Sequence, residues 1–358
     1  MTARTSPPVA RTWVPDVTSI AVLRANAIGD LLLAYPAMEA LKAAYPGARL
    51  TLLAREWHAR FLRGRPGPVD EVVTLPPVRG VSLPDTEAGE APEEFYAGLR
   101  RRRFDLALQM HGGGRYSNPF VRRTGARVTA GLRTPDAEPL DRWVPYVYYQ
   151  HEIMRYLEVA GLVGARLKGP PEPRLAVTSD DWAELARVLG PLPRGLVAIH
   201  PGASDPRRRW PAERFARVAD GLGRPVVVTG TGAERDVVGR VVAAMRRPAR
   251  AVVDELGLGG LAALYAACDL LISNDTGPRH LAAAVGTPTV GIYWCGNLIN
   301  AGPLTRAQHR PLLSWTLACP ACGGNRVDIG MKDCGHRVSW VADIPVDAVA
   351  QEAADLLR

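Results

Sequence analysis

Short apolar runs separated by stretches of helical spacing recur along the chain. Ile20-Ala21-Val22-Leu23 leads into a helix through Ala27 to Leu31, and Arg49 to Leu53, Glu71 to Leu75 and Phe104 to Gln109 follow at similar intervals. Brief apolar runs bounded by Gly and Pro, with helices between them, predict βαβ units and a parallel sheet. The alternation restarts with Leu196 to His200, Pro225 to Thr229, Asp269 to Ser273 and Thr289 to Tyr293. Between the two series, Val163 to Pro173 has no periodicity and holds Pro170, Pro171 and Pro173. Proline fixes φ and lacks a donor, so this piece is expected to be a linker. Pro345 to Leu357 has the apolar spacing of a terminal helix. The expected architecture is α/β: two Rossmann-like, doubly wound domains, residues 1–170 and 171–343, followed by a helix in 344–358.

With 358 residues, 47% of them hydrophobic, the chain can build two cores and is not a disordered polypeptide. Its net charge of +8 fits nucleic acid, an anionic membrane surface or a phosphorylated small molecule, and also plain solvated arginines. Aromatics make up 6% of the residues and none interrupts the arginine runs, which argues against a single-strand nucleic-acid binder. No apolar stretch reaches the roughly 18–20 residues of a membrane span, and Met1 to Pro15 lacks the apolar centre of a signal peptide. The expected location is the cytoplasm. Arg100 to Arg103 and Arg122-Arg123 read either as a surface for phosphorylated headgroups, a peripheral membrane contact, or as cations at a helix end that complement its dipole.

The candidate chemistry lies just after the predicted strands, where open parallel sheets bind ligands. Asn274-Asp275-Thr276-Gly277-Pro278-Arg279-His280 falls between an apolar strand and an Ala-rich helix. The start of such a helix presents unpaired N–H groups and a partial positive charge, a seat for phosphate. After the first strand comes Gly29-Asp30. Gly29 permits close approach, and Asp30 is either a carboxylate facing the ligand or a helix cap. His200-Pro201-Gly202 opens a loop that runs through Arg207-Arg208-Arg209 to Trp210-Pro211, with Pro211 expected as the first residue of a helix. These arginines are either phosphate ligands or solvated charges, and His200 is more naturally a brace than a catalyst. Thr229-Gly230-Thr231-Gly232-Ala233-Glu234 lacks the last glycine of a dinucleotide fingerprint. Glu234 there either accepts from ribose hydroxyls or an adenine amino group, or complements the dipole of its helix. His111-Gly112-Gly113-Gly114-Arg115-Tyr116-Ser117-Asn118, also after a strand, is a loop able to approach a substrate closely.

Gly29-Asp30 with the Pro36 to Leu41 helix, the His200 loop ending in Arg208-Arg209-Trp210-Pro211, and Asp275-Thr276-Gly277 followed by His280 together resemble glycosyltransferase family 9 over roughly residues 18–350. The resemblance implies a GT-B fold, an acceptor held mainly by the first domain, and a nucleoside-diphosphate sugar, ADP-linked in the namesake heptosyltransferases, held by the second. It also implies an inverting displacement onto a glycan or glycolipid hydroxyl, with Asp30 as general base. The residue two before Trp210 is usually Lys in the family and is Arg208 here, a bulkier, forked cation for the diphosphate. Asp275, Thr276, Gly277 and His280 would hold diphosphate and sugar, and Glu234 the nucleoside. Elementary chemistry agrees: such a transfer needs a base on the acceptor and positive groups at the departing pyrophosphate. No Asp-x-Asp pair occurs in the chain, so no metal cofactor is expected for catalysis. Alternatives are a sugar-nucleotide epimerase or hydrolase on the same scaffold, and a noncatalytic nucleotide-sugar binder.

Five cysteines, an odd number, argue against a disulfide framework. Cys319-Pro320-Ala321-Cys322 with Cys334-Gly335-His336 has the donors of a tetrahedral structural zinc site, although Cys-x-His is a tight second half. The other reading is a set of reduced, loosely packed thiols.

Overall fold

The computed structural model describes residues 12–84, 86–87, 89–328 and 333–358. In chain order the first series is β1 (Ser19–Leu23), α1 (Ile28–Ala44), β2 (Arg49–Ala54), α2 (Glu56–Leu62), β3 (Glu71–Thr74), α3 (Glu93–Arg101), β4 (Leu106–Gln109), α4 (Ser117–Arg122), β5 (Val128–Arg133), β6 (Arg142–Pro145) and α5 (Glu152–Gly161). The second is α6 (Ser179–Leu189), β7 (Val197–His200), α7 (Ala212–Leu222), β8 (Val226–Gly230), α8 (Arg235–Ala244), β9 (Ala249–Val253), α9 (Leu258–Ala266), β10 (Leu270–Asn274), α10 (Gly277–Ala284), β11 (Thr289–Trp294), α11 (Cys295–Ala301), β12 (His309–Ser314) and α12 (Val346–Leu356).

Each series forms a six-stranded parallel sheet, ordered β3-β2-β1-β4-β5-β6 and β12-β11-β10-β7-β8-β9. In both, the first and fourth strands of the series lie side by side and the connections run outward in opposite directions from that pair. This divergence opens a crevice beyond the strand ends. At the crevice of the first sheet Leu23 is paired with Gln109, and at that of the second His200 is paired with Ser273. The loops that follow these strands are therefore brought together in pairs: residues 24–27 with 110–116, and 201–211 with 275–276.

Contacts divide the chain into two compact units. One comprises the described residues up to Asn26 with Ala34–Tyr148 and Glu152–Pro171. The other comprises Glu172–Arg358 with Tyr149–His151 and Ala27–Leu33, so the first turn of α1 clusters with the second sheet. Every residue of β7, β10 and β11 is buried, as expected of central parallel strands covered on both faces. The core of the second unit gathers Val197, Ile199, Ile272 and Ile292 from the sheet, Phe215 from α7 and Val349 and Ala353 from α12. Phe215 meets the Trp210 ring edge to face at 5.0 Å. A separate core in the first unit packs Leu23, Ala107, Tyr96, Phe104 and Phe120.

The strands read from apolar runs are present, and four that the pattern did not predict, β5, β6, β9 and β12, join them. Three of these four are next to or at an outer position with a physical excuse for their polar sequences: β6, β9 and β12 are sheet edges, where one side of the strand needs no partner. An edge also accepts Pro311 inside β12. Pro211 is not the first residue of α7 but its N-cap, with extended ψ of 134°. Of the arginines Arg100 to Arg103 and Arg122-Arg123, three are tied to acidic neighbours, while Arg101, Arg103 and Arg122 are exposed. Arg100 pairs with Glu93, Arg102 with Glu71 at 2.9 Å, and Arg123 with Glu90 at 3.0 Å and Glu93 at 2.8 Å. Among the described residues no helix is long and apolar enough to cross a membrane.

Phe215 is fully buried, and its removal leaves a cavity between α7 and the sheet. Phe215→Ala is expected to lower unfolding free energy by about 3–5 kcal/mol, read as a shift of the urea midpoint. A loss under about 1 kcal/mol would contradict the packing described.

Candidate functional site

Asn274, the last residue of β10, ties together the loops at the crevice of the second sheet. Its buried side chain accepts from Trp210 N at 2.9 Å and donates to the carbonyls of Pro201 at 2.7 Å and Gly202 at 3.3 Å. One amide thereby links the end of β10 to both limbs of the loop between β7 and α7. The same loop is pinned at Trp210, whose Nε1 donates to the Ile344 carbonyl at 3.0 Å.

Asp275 follows, 4% exposed, and receives three side chains. Asn297 Nδ2 donates to Oδ2 at 2.7 Å, Arg208 Nη1 lies 3.3 Å from Oδ2 and from the backbone carbonyl, and His280 Nε2 stands 3.7 Å from Oδ1. Burial alone would raise the Asp275 pKa, but hydrogen bonding from His280, the Arg208 charge and the Asn297 amide together bring it down to about 2. It is a carboxylate at any working pH, and it holds the Arg208 guanidinium in place. Nη2 of Arg208 donates to Ser204 Oγ at 2.8 Å, and its side chain keeps 25% exposure.

His280 is buried within the first turns of α10, and burial together with the neighbouring Arg279 charge lowers its pKa to about 4. Arg279 Nη2 approaches His280 Nδ1 at 2.6 Å. A guanidinium only donates, so Nδ1 is the acceptor and the ring proton resides on Nε2, directed to Asp275. The contact with Asp275 is thus a neutral N–H facing a carboxylate rather than an ion pair. Gly29, in the first turn of α1 and in the same compact unit, lies against this imidazole: a Cβ there would come within 2.9 Å of His280 Cδ2. Only glycine permits that approach. Asp30 is half-buried, its Oδ2 accepting from Ala27 N at 3.0 Å across the helix start. It therefore caps α1 and also stands close enough to His280 for its charge to oppose the lowering of that pKa. Thr276 is the N-cap residue of α10, with no side-chain cap bond, and Gly277 is its first helical residue.

The remaining expectations divide. Of the arginine triplet, Arg208 alone reaches Asp275. Arg207 chelates Asp205 and stacks over Trp340 at 4.6 Å, and Arg209 Nε donates to the Ala203 carbonyl at 2.9 Å. His200 is a brace: its Nδ1 is 3.1 Å from Thr229 Oγ1, and burial lowers its pKa to about 4 despite Glu234 at 3.7 Å. Glu234 is buried and its Oε2 accepts from Thr231 N at 2.9 Å and Oγ1 at 3.0 Å, so it closes a capping box on the 3-10 turn Gly232–Glu234 that leads into α8. Gly202 lies directly over that carboxylate, where a Cβ would overlap it. Asn297, Ser204 and Asn274 were not recognised in the sequence. Asn274 lies inside the quoted motif but gives no sign of whose backbone it binds, and Asn297 lies on a helix with no motif of its own.

Within the first unit, a cavity of about 510 Å³ opens at the crevice of its sheet, lined by Asn26, Arg55, His111, Arg115, Tyr116 and the three glycines Gly112 to Gly114. His111 Nδ1 accepts from Ala25 N at 3.3 Å, which joins the two loops of this crevice, and burial lowers its pKa to about 3. The sulfur and nitrogen atoms of Cys319, Cys322, Cys334 and His336 also converge, all within 4.8 Å of one another.

The family model described as glycosyltransferase family 9 (heptosyltransferase) matches residues 94–322. Lipopolysaccharide heptosyltransferase 2 of Salmonella typhimurium is 28% identical over 295 residues, 76% of this chain and 82% of its own. Two solved structures share the fold: a glycosyl transferase family 9 protein from Veillonella parvula, with TM-score 0.76, 22% identity and coverage of 95% of this chain and 97% of the other, and E. coli ADP-heptose lps heptosyltransferase II, with TM-score 0.71, 21% identity and coverage of 95% and 98%.

His58, His111, His200, His280 and His309 all have pKa values lowered by burial, to about 3 or about 4, from 6.5. The unfolded chain binds more protons than the folded one between these values, so the neutral rings contribute their full stability above about 6.5 and lose it as pH falls towards 4. The urea midpoint is expected to be lower at pH 5 than at pH 7, and a midpoint equal or higher at pH 5 would contradict the assigned neutral rings.

Proposed function

Since the chain belongs to glycosyltransferase family 9, we propose that it moves a heptose or related sugar, with inversion, from an ADP-linked donor to a hydroxyl of a glycan or glycolipid. It is an enzyme of glycosyl transfer, and the cluster of Arg208, Asp275 and His280 at the head of α10 is the observation that carries the donor half of this reading. Transfer to a hydroxyl releases a nucleoside diphosphate, and charge grows on its terminal phosphate as the glycosidic bond breaks. Arg208 supplies a fixed, partly exposed cation for that charge, and Asp275 restrains it in advance. The N–H groups that begin α10 and the Nε2–H tautomer of His280 add donors on the same side. Gly202, over Glu234, lets the His200 loop lie flat as the platform for the nucleoside.

Asp30 is the general base in this reading. A carboxylate in the first turn of α1 can accept the acceptor's proton as oxygen attacks the anomeric carbon and the diphosphate departs. Its proximity to His280, across Gly29, supports that role. The cavity lined by Arg55, Arg115 and Asp136 fits the acceptor; Asp136 lies 3.9 Å from Arg115, and the remaining net positive charge favours an anionic glycolipid. The name of the Salmonella relative, a lipopolysaccharide heptosyltransferase, agrees with that class. We place the reaction in the cytoplasm, at the inner face of the membrane.

Purified protein screened against nucleoside diphosphates and their sugars is expected to show its largest rise in melting temperature with ADP-linked ligands. A preference for a uridine or thymidine ligand would overturn the donor assignment. Asp30→Ala is expected to slow transfer by about 10²–10⁴-fold while donor binding persists, and unchanged turnover would remove Asp30 from the base role. Arg208→Ala is expected to cost about 10²–10³-fold in kcat, with Arg208→Lys recovering part of it. Donor hydrolysis without any transfer to a glycan or glycolipid would favour a hydrolase instead.

A further inference from the structure

The segment between β12 and α12 has no helix or strand among its described residues, yet its side chains converge on a single point. Cys319 Sγ lies 3.7 Å from Cys334 Sγ and 3.8 Å from His336 Nδ1, and with Cys322 Sγ all four donors fall within 4.8 Å of one another. A disulfide would require sulfurs about 2.05 Å apart. A tetrahedron with metal–sulfur bonds of about 2.3 Å has edges of about 3.8 Å, which the Cys319–Cys334 and Cys319–His336 separations match. The turn from Cys319 is closed by Cys319 N to the Gly324 carbonyl and Gly323 N to the Cys319 carbonyl, both at 2.8 Å. This turn aims the N–H groups of Ala321 and Cys322 at the Cys319 sulfur, and Arg326 Nη2 lies 3.8 Å from Cys322 Sγ. Such groups support metal-bound thiolates, since three thiolates and a neutral imidazole leave a divalent site with one net negative charge.

We propose that Cys319, Cys322, Cys334 and His336 bind one zinc ion, releasing the three thiol protons, and that the closed knuckle braces the loop that carries Arg208. Soft thiolates in tetrahedral array with one imidazole make a closed structural zinc site. The bracing follows from the residues next to the ligands. Asp333 precedes Cys334 and accepts from Arg207 Nη1 at 3.2 Å. After His336, Ser339 Oγ donates to the Arg209 carbonyl at 2.7 Å, Trp340 N donates to the Arg207 carbonyl at 2.8 Å, and the Trp340 ring lies under the Arg207 guanidinium. Both neighbours of Arg208 are thus held by a segment anchored at one end by Trp340 and Val341 in the core and at the other by the ion's ligands Cys334 and His336. Zinc binding here stands independently of the transferase reading; only the consequence for donor binding rests on it.

The test uses the full chain purified without chelator, with metal counted by mass spectrometry. About one zinc per chain is expected, and less than about a tenth, or iron in its place, overturns the assignment. Cys322→Ser and Cys334→Ser are each expected to fall below about a tenth of an equivalent, whereas Cys268→Ser, buried in the second unit, retains the metal. If the ligand variants do not fold, wild-type protein treated with a thiol-blocking mercurial should release about one zinc to a chromogenic chelator, and no release overturns the site. Amide exchange of peptides covering Arg207 to Trp210 and Trp340 is expected to quicken at least about tenfold once zinc is removed, and unchanged exchange overturns the bracing. None of these measurements uses a sugar donor, so their failure is distinct from failure of the transferase reading.

Discussion

A buried carboxylate organises the loops at the crevice of the second sheet. Asp275 is almost inaccessible and charged, and an uncompensated charge in such a place costs several kcal/mol. It is tolerated because Arg208, Asn297 and His280 converge on it from three separate elements. Arg208 is thereby removed from the conformational freedom of its loop, held against His280 of α10 and Asn297 of α11 through the shared carboxylate. The arrangement that satisfies the carboxylate is also the one that presents a cation and a neutral N–H donor at the head of α10.

The sheet order makes this convergence available. Placing β10 beside β7 brings residue 275 next to the loop that begins at Pro201, and the amide of Asn274 then joins the two by backbone hydrogen bonds. Bonds to backbone groups fix a loop's path irrespective of its side chains. The arginine triplet can accordingly divide its labour, with Arg207 bound to Asp205, Arg209 to the Ala203 carbonyl and Arg208 turned to Asp275. The knuckle segment applies the same device from outside, gripping the carbonyls of Arg207 and Arg209.

Legibility followed burial and chemistry. Central strands such as β7 and β10 are buried on both faces, so their apolar runs stand out. Edge strands β6, β9 and β12 carry arginine, proline and histidine because half their surface faces outward, and their pattern resembles a loop. Asp275, Arg208, His280 and Gly29 were recognisable as members of motifs, each placed after a strand. Asn297 was not, because a lone asparagine on a short helix has no spacing relation to the residue it binds. The sequence left Glu234 between a nucleoside contact and a helix-dipole partner, and its geometry shows a capping box, a role that Thr231-Gly232-Ala233-Glu234 also encodes locally.

From the amino-acid order alone came the α/β alternation, the two sheets, the family and the residue types able to meet a diphosphate, since all of these depend on periodicity or on short motifs read in one direction along the chain. Tertiary structure decided which arginine faces Asp275, which nitrogen of His280 carries the proton, that Gly29 lies against that ring, and that Cys319 and His336 meet across a turn. Those outcomes are distances between residues far apart in the chain, and burial, hydrogen bonding and charge act through distance. Local sequence patterns specify elements, whereas the packing of one element against another specifies the field in which each side chain works.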